Sequence, residues 1–213
     1  MARPACAEGP GKGQQLQMPR KNFMTERMGY THHYASPLGG ITLASNGEAL
    51  TGLWFDGQEL PAGAQDPTHG EKDLPVFAQA AMWLDIYFSG RDPGFTPPLF
   101  LKAEGFRKAV WEMLLEIPYG HTLTYGAIAG EIARRMKLPC MSAQAVGGAV
   151  GRNAIALIIP CHRVIGAGGR LTGYAGGLER KAWLLALEKH AAPPCPPPST
   201  VPGLPEAPPF SMP

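Results

Sequence analysis

The chain has 213 residues, 45% of them apolar and 17% charged, which suits one large or two small domains with a substantial core. No stretch approaches the roughly 18 apolar residues that a membrane span needs, and Met1 to Gly13 lacks the apolar core of a secretory signal, so a cytoplasmic protein without a membrane partner is expected. The net charge of +2 conceals a division: residues 29–101 carry 2 basic and 8 acidic side chains, residues 102–190 carry 12 and 6. Only the second half has the surplus that a polyanion-binding surface uses, although a solvated face explains such a surplus equally well.

Residues 1–28 are polar and aperiodic, and residues 191–213 hold 10 of the 23 prolines, so both ends read as disordered tails. Between Tyr30 and Phe55 two apolar runs, Ile41 to Ala44 and Ala49 to Phe55, flank Ser45-Asn46-Gly47-Glu48. Asn-Gly there signals a hairpin, because both residues tolerate positive φ. After a Pro- and Gly-rich stretch, Phe77, Ala81, Leu84 and Phe88 recur at helical spacing until Ser89-Gly90. These elements make a small α/β unit over 29–97.

Past Pro97-Pro98 a second unit, 98–190, begins with a helix carrying Phe106, Val110, Met113, Leu114 and Ile117 on one face. Two short helices follow, about Tyr125 to Met136 behind a Thr124 cap and Ala143 to Val150 behind a Ser142 cap. Inside a basic unit this pair suggests helix-turn-helix; two packed helices with no DNA role fit the same pattern. The run Ala145-Val146-Gly147-Gly148-Ala149 is poor helix material by propensity, and its small residues suit close approach to another element or to a DNA groove.

The four cysteines, Cys6, Cys140, Cys161 and Cys195, form no metal-binding or disulfide pattern. Cys6 and Cys195 fall in the tails, which leaves Cys140 and Cys161. Ile155 to Ile159 reads as a buried strand that delivers the chain to Pro160 and Cys161. A lone cysteine beside a strand is usually a small buried hydrophobe. Here His162 and Arg163 follow it directly, both costly to bury without partners, and a nucleophilic thiol needs such a base within reach. Glu188, on the amphipathic segment Leu178 to His190, is a candidate to orient the histidine, or else a surface residue.

Pro160-Cys161-His162-Arg163-Val164, with Ala145 to Ala149 and Asn153 before it and Gly173-Tyr174-Ala175-Gly176-Gly177 and Lys181-Ala182-Trp183-Leu184-Leu185 after it, closely resembles the O6-alkylguanine-DNA alkyltransferases. The resemblance spans about residues 30–190. It implies a ribonuclease H-like α/β first domain, then a mainly α winged helix-turn-helix domain whose second helix enters the minor groove while the damaged base flips into a pocket. Cys161 would take the alkyl group from guanine O6, or from O4-alkylthymine, in a single turnover.

By the same resemblance, a water relays the thiol proton to His162, which Glu188 orients, and Asn153 braces the turn before the active-site segment. Tyr125 would rotate the nucleotide and donate to the base, and Tyr174 would line the pocket. The carbonyls of Cys161 and Val164 and the amide of Ala175 would read the guanine edge. Gln144, Ala145, Gly147, Gly148, Arg152 and Arg163 are the expected DNA contacts. Gln144 stands where many members carry an intercalating arginine, so it keeps length but loses charge and stacking.

Some members hold zinc in the first domain. Here that half offers His32, His33 and His69 without a cysteine, and adjacent histidines on a strand face opposite ways, so no metal is expected, nor any other cofactor. The expected partner is double-stranded DNA carrying O6-alkylguanine, bound by a monomer. Two rivals stand beside this reading. A damage sensor of the alkyltransferase-like kind would lack the acceptor cysteine, and a cysteine hydrolase would need an oxyanion hole.

Overall fold

The computed structural model describes residues 29–58 and 73–189. Both tails expected to be disordered, and the Pro- and Gly-rich stretch after Phe55, fall wholly or mainly outside those residues. The first domain is an antiparallel sheet in the order β1 (Tyr30–Ser36), β2 (Gly39–Ser45), β3 (Leu50–Phe55), with helix α1 (Pro75–Phe88) packed on it. Ile41, Leu43, Leu53 and Phe55 alternate inward and meet Val76, Phe77, Ala80 and Leu84. Sequence reading anticipated β2, β3 and α1 but not β1. Its Thr31-His32-His33 core looks polar, yet His32 stacks on Phe77 with ring centroids 5.5 Å apart while His33 turns outward to Asp56 at 2.9 Å.

The turn between β2 and β3 is built differently from the expected two-residue type. Only Gly47 has positive φ, at 103°; Asn46 instead accepts from the amides of Glu48 and Ala49 at 3.1 and 2.9 Å. Ser45 Oγ completes the turn by donating to Ala49 O, and a register shift at Ala44/Ser45 absorbs the extra residues.

The outer edge of β3 is not left open. Leu50 exchanges hydrogen bonds with the Pro98–Phe100 segment, and Leu53 with Ala154 and Ala156, all between 2.8 and 2.9 Å. The second of these contacts ties the first sheet to the stretch that leads to Cys161.

The second domain consists of α2 (Gly105–Leu115), β4 (Leu123–Thr124), α3 (Tyr125–Arg135), α4 (Ala143–Val150), β5 (Val164–Ile165) and α5 (Leu178–Glu188). Both caps read from the sequence are formed: Thr124 accepts from Ala127 N at 3.1 Å and Ser142 from Ala145 N at 3.0 Å. Each satisfies an amide that the helix itself leaves unpaired. Trp111 on α2 donates from Nε1 to Ala149 O at 2.9 Å and anchors the end of α4. β4 and β5 pair in parallel. The architecture is thus a small sheet domain followed by a helical domain. Among the described residues no helix is long and apolar enough to cross a membrane.

Ile155 to Ile159 is buried as expected but is not a strand. Apart from the single bridge from Ile155 to Leu53, it folds into turns, with Ile159 N donating to Ile155 O at 3.1 Å and buried Leu157 at φ 65°. Periodicity cannot separate a buried strand from any other buried apolar run. The left-handed leucine, a conformation costing about 1–3 kcal/mol, is held by the surrounding core and doubles the chain back toward Asn153.

Candidate functional site

Cys161 opens a 3-10 turn, Cys161–Arg163, directly after Pro160. Its side chain lies on the wall of a pocket of about 230 Å³ shared with Tyr125, Asn153, Tyr174, Ala175 and Gln58. Glycines make room for this pocket. A Cβ at Gly176 would sit 2.8 Å from the Tyr174 ring and 3.2 Å from Phe55, while Gly147 lies against Tyr125, its notional Cβ 3.8 Å from that ring. A larger hollow of about 530 Å³ lies at the N-terminal ends of α3 and α4 and is lined by no cysteine. It shares Tyr125, Gly147 and Gly173 with the smaller pocket, so the two are neighbours across those residues.

Asn153 reaches across the turn that follows α4. Its Nδ2 donates to Ile159 O at 2.8 Å and to Cys161 Sγ at 3.1 Å, and its Oδ1 accepts from Ile155 N at 3.0 Å. One side chain therefore fixes the loop and favours the thiolate. Burial nevertheless dominates and raises the Cys161 pKa, with the Asn153 bond and the nearby Lys181 ammonium opposing it. At neutral pH the resting group is a thiol, and its chemistry requires a base.

His162 is fully buried beside it, and burial lowers its pKa despite Glu188. The 2.7 Å contact between His162 Nε2 and Glu188 Oε1 is thus a neutral imidazole donating to a carboxylate rather than a preformed ion pair. Burial pushes the Glu188 pKa up, but hydrogen bonds from His162 and Arg163 and the Arg163 charge outweigh it and bring it down to about 2. An ionised carboxylate only accepts, so Nε2 carries the imidazole proton and Nδ1 is left as the basic nitrogen.

Arg163 does not stand on the DNA-facing surface where it was expected. It is 7% exposed, its Nε and Nη2 bond Glu188 at 2.9 and 3.0 Å, and Nη1 donates to Ile117 O at 2.6 Å. A guanidinium so deeply placed needs a buried carboxylate, and Glu188 is that partner. Val164 is likewise absent from the pocket wall; its carbonyl accepts from Lys181 Nζ at 2.6 Å.

Three groups escaped sequence reasoning. Tyr87 on α1 donates to Glu188 Oε1 at 2.8 Å and lies 3.2 Å from His162 Nε2. Lys181 is fully buried and ties Val164 O to Thr172 O, at 2.6 and 2.7 Å, closing the loop that carries Gly173 to Gly176. Gln58, just past β3, places its Oε1 buried and without a hydrogen-bond partner among the described residues. A tyrosine in a helix and a lysine in a helix look like ordinary core and surface residues from sequence, and only the fold reveals their partners.

Gln144, Ala145, Gly148 and Arg152 are exposed along α4 and just beyond it. A Cβ on Gly148 would meet only Arg152 Nη1, at 3.8 Å, so this glycine opens to the outside rather than to another element. Tyr125 OH is held only loosely, 3.4 and 3.5 Å from Thr172 O and Gly173 O. In the first domain, His32 and His33 face apart as expected; His69 lies outside the described residues. Cys140 is exposed and not part of the pocket.

Fold and site together define a two-domain protein with a buried cysteine beside a histidine–glutamate pair, in a pocket lined in part by α4. The ribonuclease-like domain of 6-O-methylguanine DNA methyltransferase matches residues 30–101, and the DNA binding domain of the same family matches residues 105–190. The methylated-DNA–protein-cysteine methyltransferase of Mycobacterium bovis is 46% identical over 158 residues, 74% of this chain and 91% of the relative. That of Methanosarcina mazei is 44% identical over 161 residues, 76% of this chain and 98% of the relative. Among solved structures, Mycobacterium tuberculosis OGT in complex with DNA superposes with a TM-score of 0.65 at 44% identity, covering 77% of this chain and 95% of that one. The chain belongs to the methylated-DNA–protein-cysteine methyltransferase family, whose reaction moves a methyl group from DNA to a protein cysteine.

Proposed function

We propose that the protein repairs double-stranded DNA by taking the alkyl group of O6-alkylguanine onto Cys161 Sγ once and keeping it. The observation that carries this reading is the position of Cys161, bonded to Asn153 and next to a buried His162–Glu188 pair, in a pocket lined in part by α4. The helix pair acts as a winged helix-turn-helix, α4 lies in the minor groove with Gln144, Ala145, Gly147, Gly148 and Arg152 along it, and the damaged nucleotide turns into the pocket past Tyr125. Extrusion costs a few kcal/mol, less at a damaged pair, and Gln144 fills the gap with less stacking than arginine gives.

In the transfer the Cys161 proton passes to His162, and Sγ attacks the alkyl carbon in line with the O6 bond. The new S–C bond forms as the C–O6 bond breaks, its electron pair moves into the guanine ring, N1 takes up a proton from water, and His162 returns the thiol proton to solvent. Tyr125, whose pKa burial raises, stays a neutral donor beside the base. Asn153 Nδ2 stabilises the thiolate on the way. The product thioether offers no leaving group that Asn153, Tyr125, Tyr174 or Gln58 could expel, which accounts for single turnover.

O4-alkylthymine presents the same alkyl-oxygen bond on a smaller ring and is the expected second substrate. The protein works as a monomer in the cytoplasm. Rapid-quench reactions with duplexes carrying O6-methylguanine test the reading. Restored guanine should rise to one equivalent per protein and stop, and sustained turnover or no restored guanine would defeat it.

A further inference from the structure

We infer that Tyr87, a residue of the first domain, is a positioning residue for alkyl transfer: its hydroxyl sets how firmly Glu188 holds the imidazole that receives the Cys161 proton. The inference rests on the reading of Cys161 as acceptor. Tyr87 is fully buried on α1, stacked on Trp83 at 5.1 Å and set edge-on to Tyr119 at 5.9 Å and His162 at 6.2 Å, so its ring has one place to sit.

The hydroxyl shares a single acceptor atom with the base. Glu188 Oε1 takes Tyr87 OH at 2.8 Å, His162 Nε2 at 2.7 Å and Arg163 Nη2 at 3.0 Å; Oε2 takes Gly120 N at 3.1 Å and Arg163 Nε at 2.9 Å. Because Tyr87 gives its only proton to the carboxylate, its oxygen, 3.2 Å from Nε2, faces the imidazole as an acceptor. The Nε2–H is therefore flanked by two acceptors, and the ring cannot turn without losing both. Burial beside Glu188 also raises the tyrosine pKa far enough that the group stays neutral.

Two effects follow. Tyr87 orients the imidazole, and by competing for Oε1 it weakens the pull of Glu188 on an imidazolium. The other groups facing His162 are Arg163 and Lys181, which oppose its protonation, together with Cys161 and Tyr174. Removing the Tyr87 hydroxyl leaves all of these in place; it takes away a neutral acceptor 3.2 Å from Nε2, but it concentrates Oε1, the charged and shorter contact at 2.7 Å, on His162 and Arg163. His162 then becomes more basic, and the acid limb of the rate profile, where His162 is already protonated, moves to higher pH.

The test compares full-length wild type, Tyr87→Phe and, as control, Tyr34→Phe, which loses a hydroxyl bonded to Asp85 in the same domain. Single-turnover transfer from an O6-methylguanine duplex and the ¹⁵N shifts of His162 are followed across about pH 5 to 9. Tyr87→Phe should raise both midpoints by about half to one pH unit, while Tyr34→Phe matches wild type. Equal midpoints in Tyr87→Phe and wild type, or a downward move, would overturn the inference, and so would an upward move accompanied by faster solvent exchange of the His162 Nε2 proton, because hydration alone raises a pKa that burial has lowered. Wild type supplies a check that needs no variant: the proton must sit on His162 Nε2, and an Nδ1–H tautomer overturns the inference. If wild type transfers no alkyl group, the function reading fails by itself, and the His162 titration still decides the role of Tyr87.

Discussion

Replacing Glu188 with glutamine probes the heart of the site with almost no change in shape. The carboxylate faces only donors: Tyr87 OH, His162 Nε2 and Arg163 Nη2 at one oxygen, Gly120 N and Arg163 Nε at the other. A carboxamide must turn its own NH2 toward one of these two sets, so at least one donor meets a donor in either orientation. It also leaves the buried Arg163 guanidinium without a counter-charge. Breaking a buried pair from one side costs about 3–5 kcal/mol, equivalent to a fall of roughly 6–20 °C in Tm for a domain of this size.

Urea melts measure that loss, and single-turnover transfer measures the chemistry below the melting range. With the wrong tautomer open to His162, the rate should fall by about 10³–10⁴-fold, the scale seen when an orienting carboxylate is lost from a comparable base. Adding Arg163→Met removes the stranded charge, so Glu188→Gln/Arg163→Met should regain much of the stability while transfer stays impaired. A Glu188→Gln protein within about 1 kcal/mol of wild type, or one that transfers at the normal rate, would refute the reasoning.

Cys161→Ala should abolish transfer while leaving binding to an O6-methylguanine duplex within about threefold of wild type, as gel shifts at fixed salt would show. Asn153→Ala removes the donor to Sγ, so the thiol pKa should rise further and alkylation by iodoacetamide at mildly alkaline pH should slow; an unchanged rate against pH would contradict the assigned hydrogen bond. Gln144→Arg should speed repair of duplex DNA but not of a free O6-alkylguanine base, and an equal or slower duplex rate would dismiss the gap-filling role. Stability should decline with acid in two stages. His162 is buried neutral with a lowered pKa, so its contribution begins to fall below about pH 6.5, the ordinary histidine value. Glu188, brought down to about 2, contributes fully above its ordinary 4.5 and loses that contribution as pH falls toward 2. A flat urea midpoint over that range would remove both assignments.

The candidate site was most legible where chemistry is local. Cys161, His162 and Arg163 are adjacent, and the pressure to find partners for two buried polar groups was visible from the apolar run before them. The two caps, Thr124 and Ser142, were readable because capping depends on a few neighbouring residues. Glu188, 26 residues from His162, could only be offered as a candidate, and Tyr87, 75 residues away on a helix of the other domain, gave no signal at all. The helical spacing was read through Phe77, Ala81, Leu84 and Phe88 and passed Tyr87 by, although the buried face of α1 includes it. Arg163 was misplaced because an arginine after a thiol in a basic unit points to phosphate, whereas burial and Glu188 claim it in the fold. The missed β1 and the misread Ile155 to Ile159 share one cause. An edge strand with two histidines does not look apolar, and a buried turn does, so hydrophobic pattern alone inverted both.

The central claim is that Cys161 receives and keeps the alkyl group. Intact mass and peptide mapping after incubation with an O6-methylguanine duplex test it most directly. One methyl group on the peptide that holds Cys161, persisting after the DNA is removed, is the predicted result; an unmodified Cys161 beside repaired DNA would contradict it.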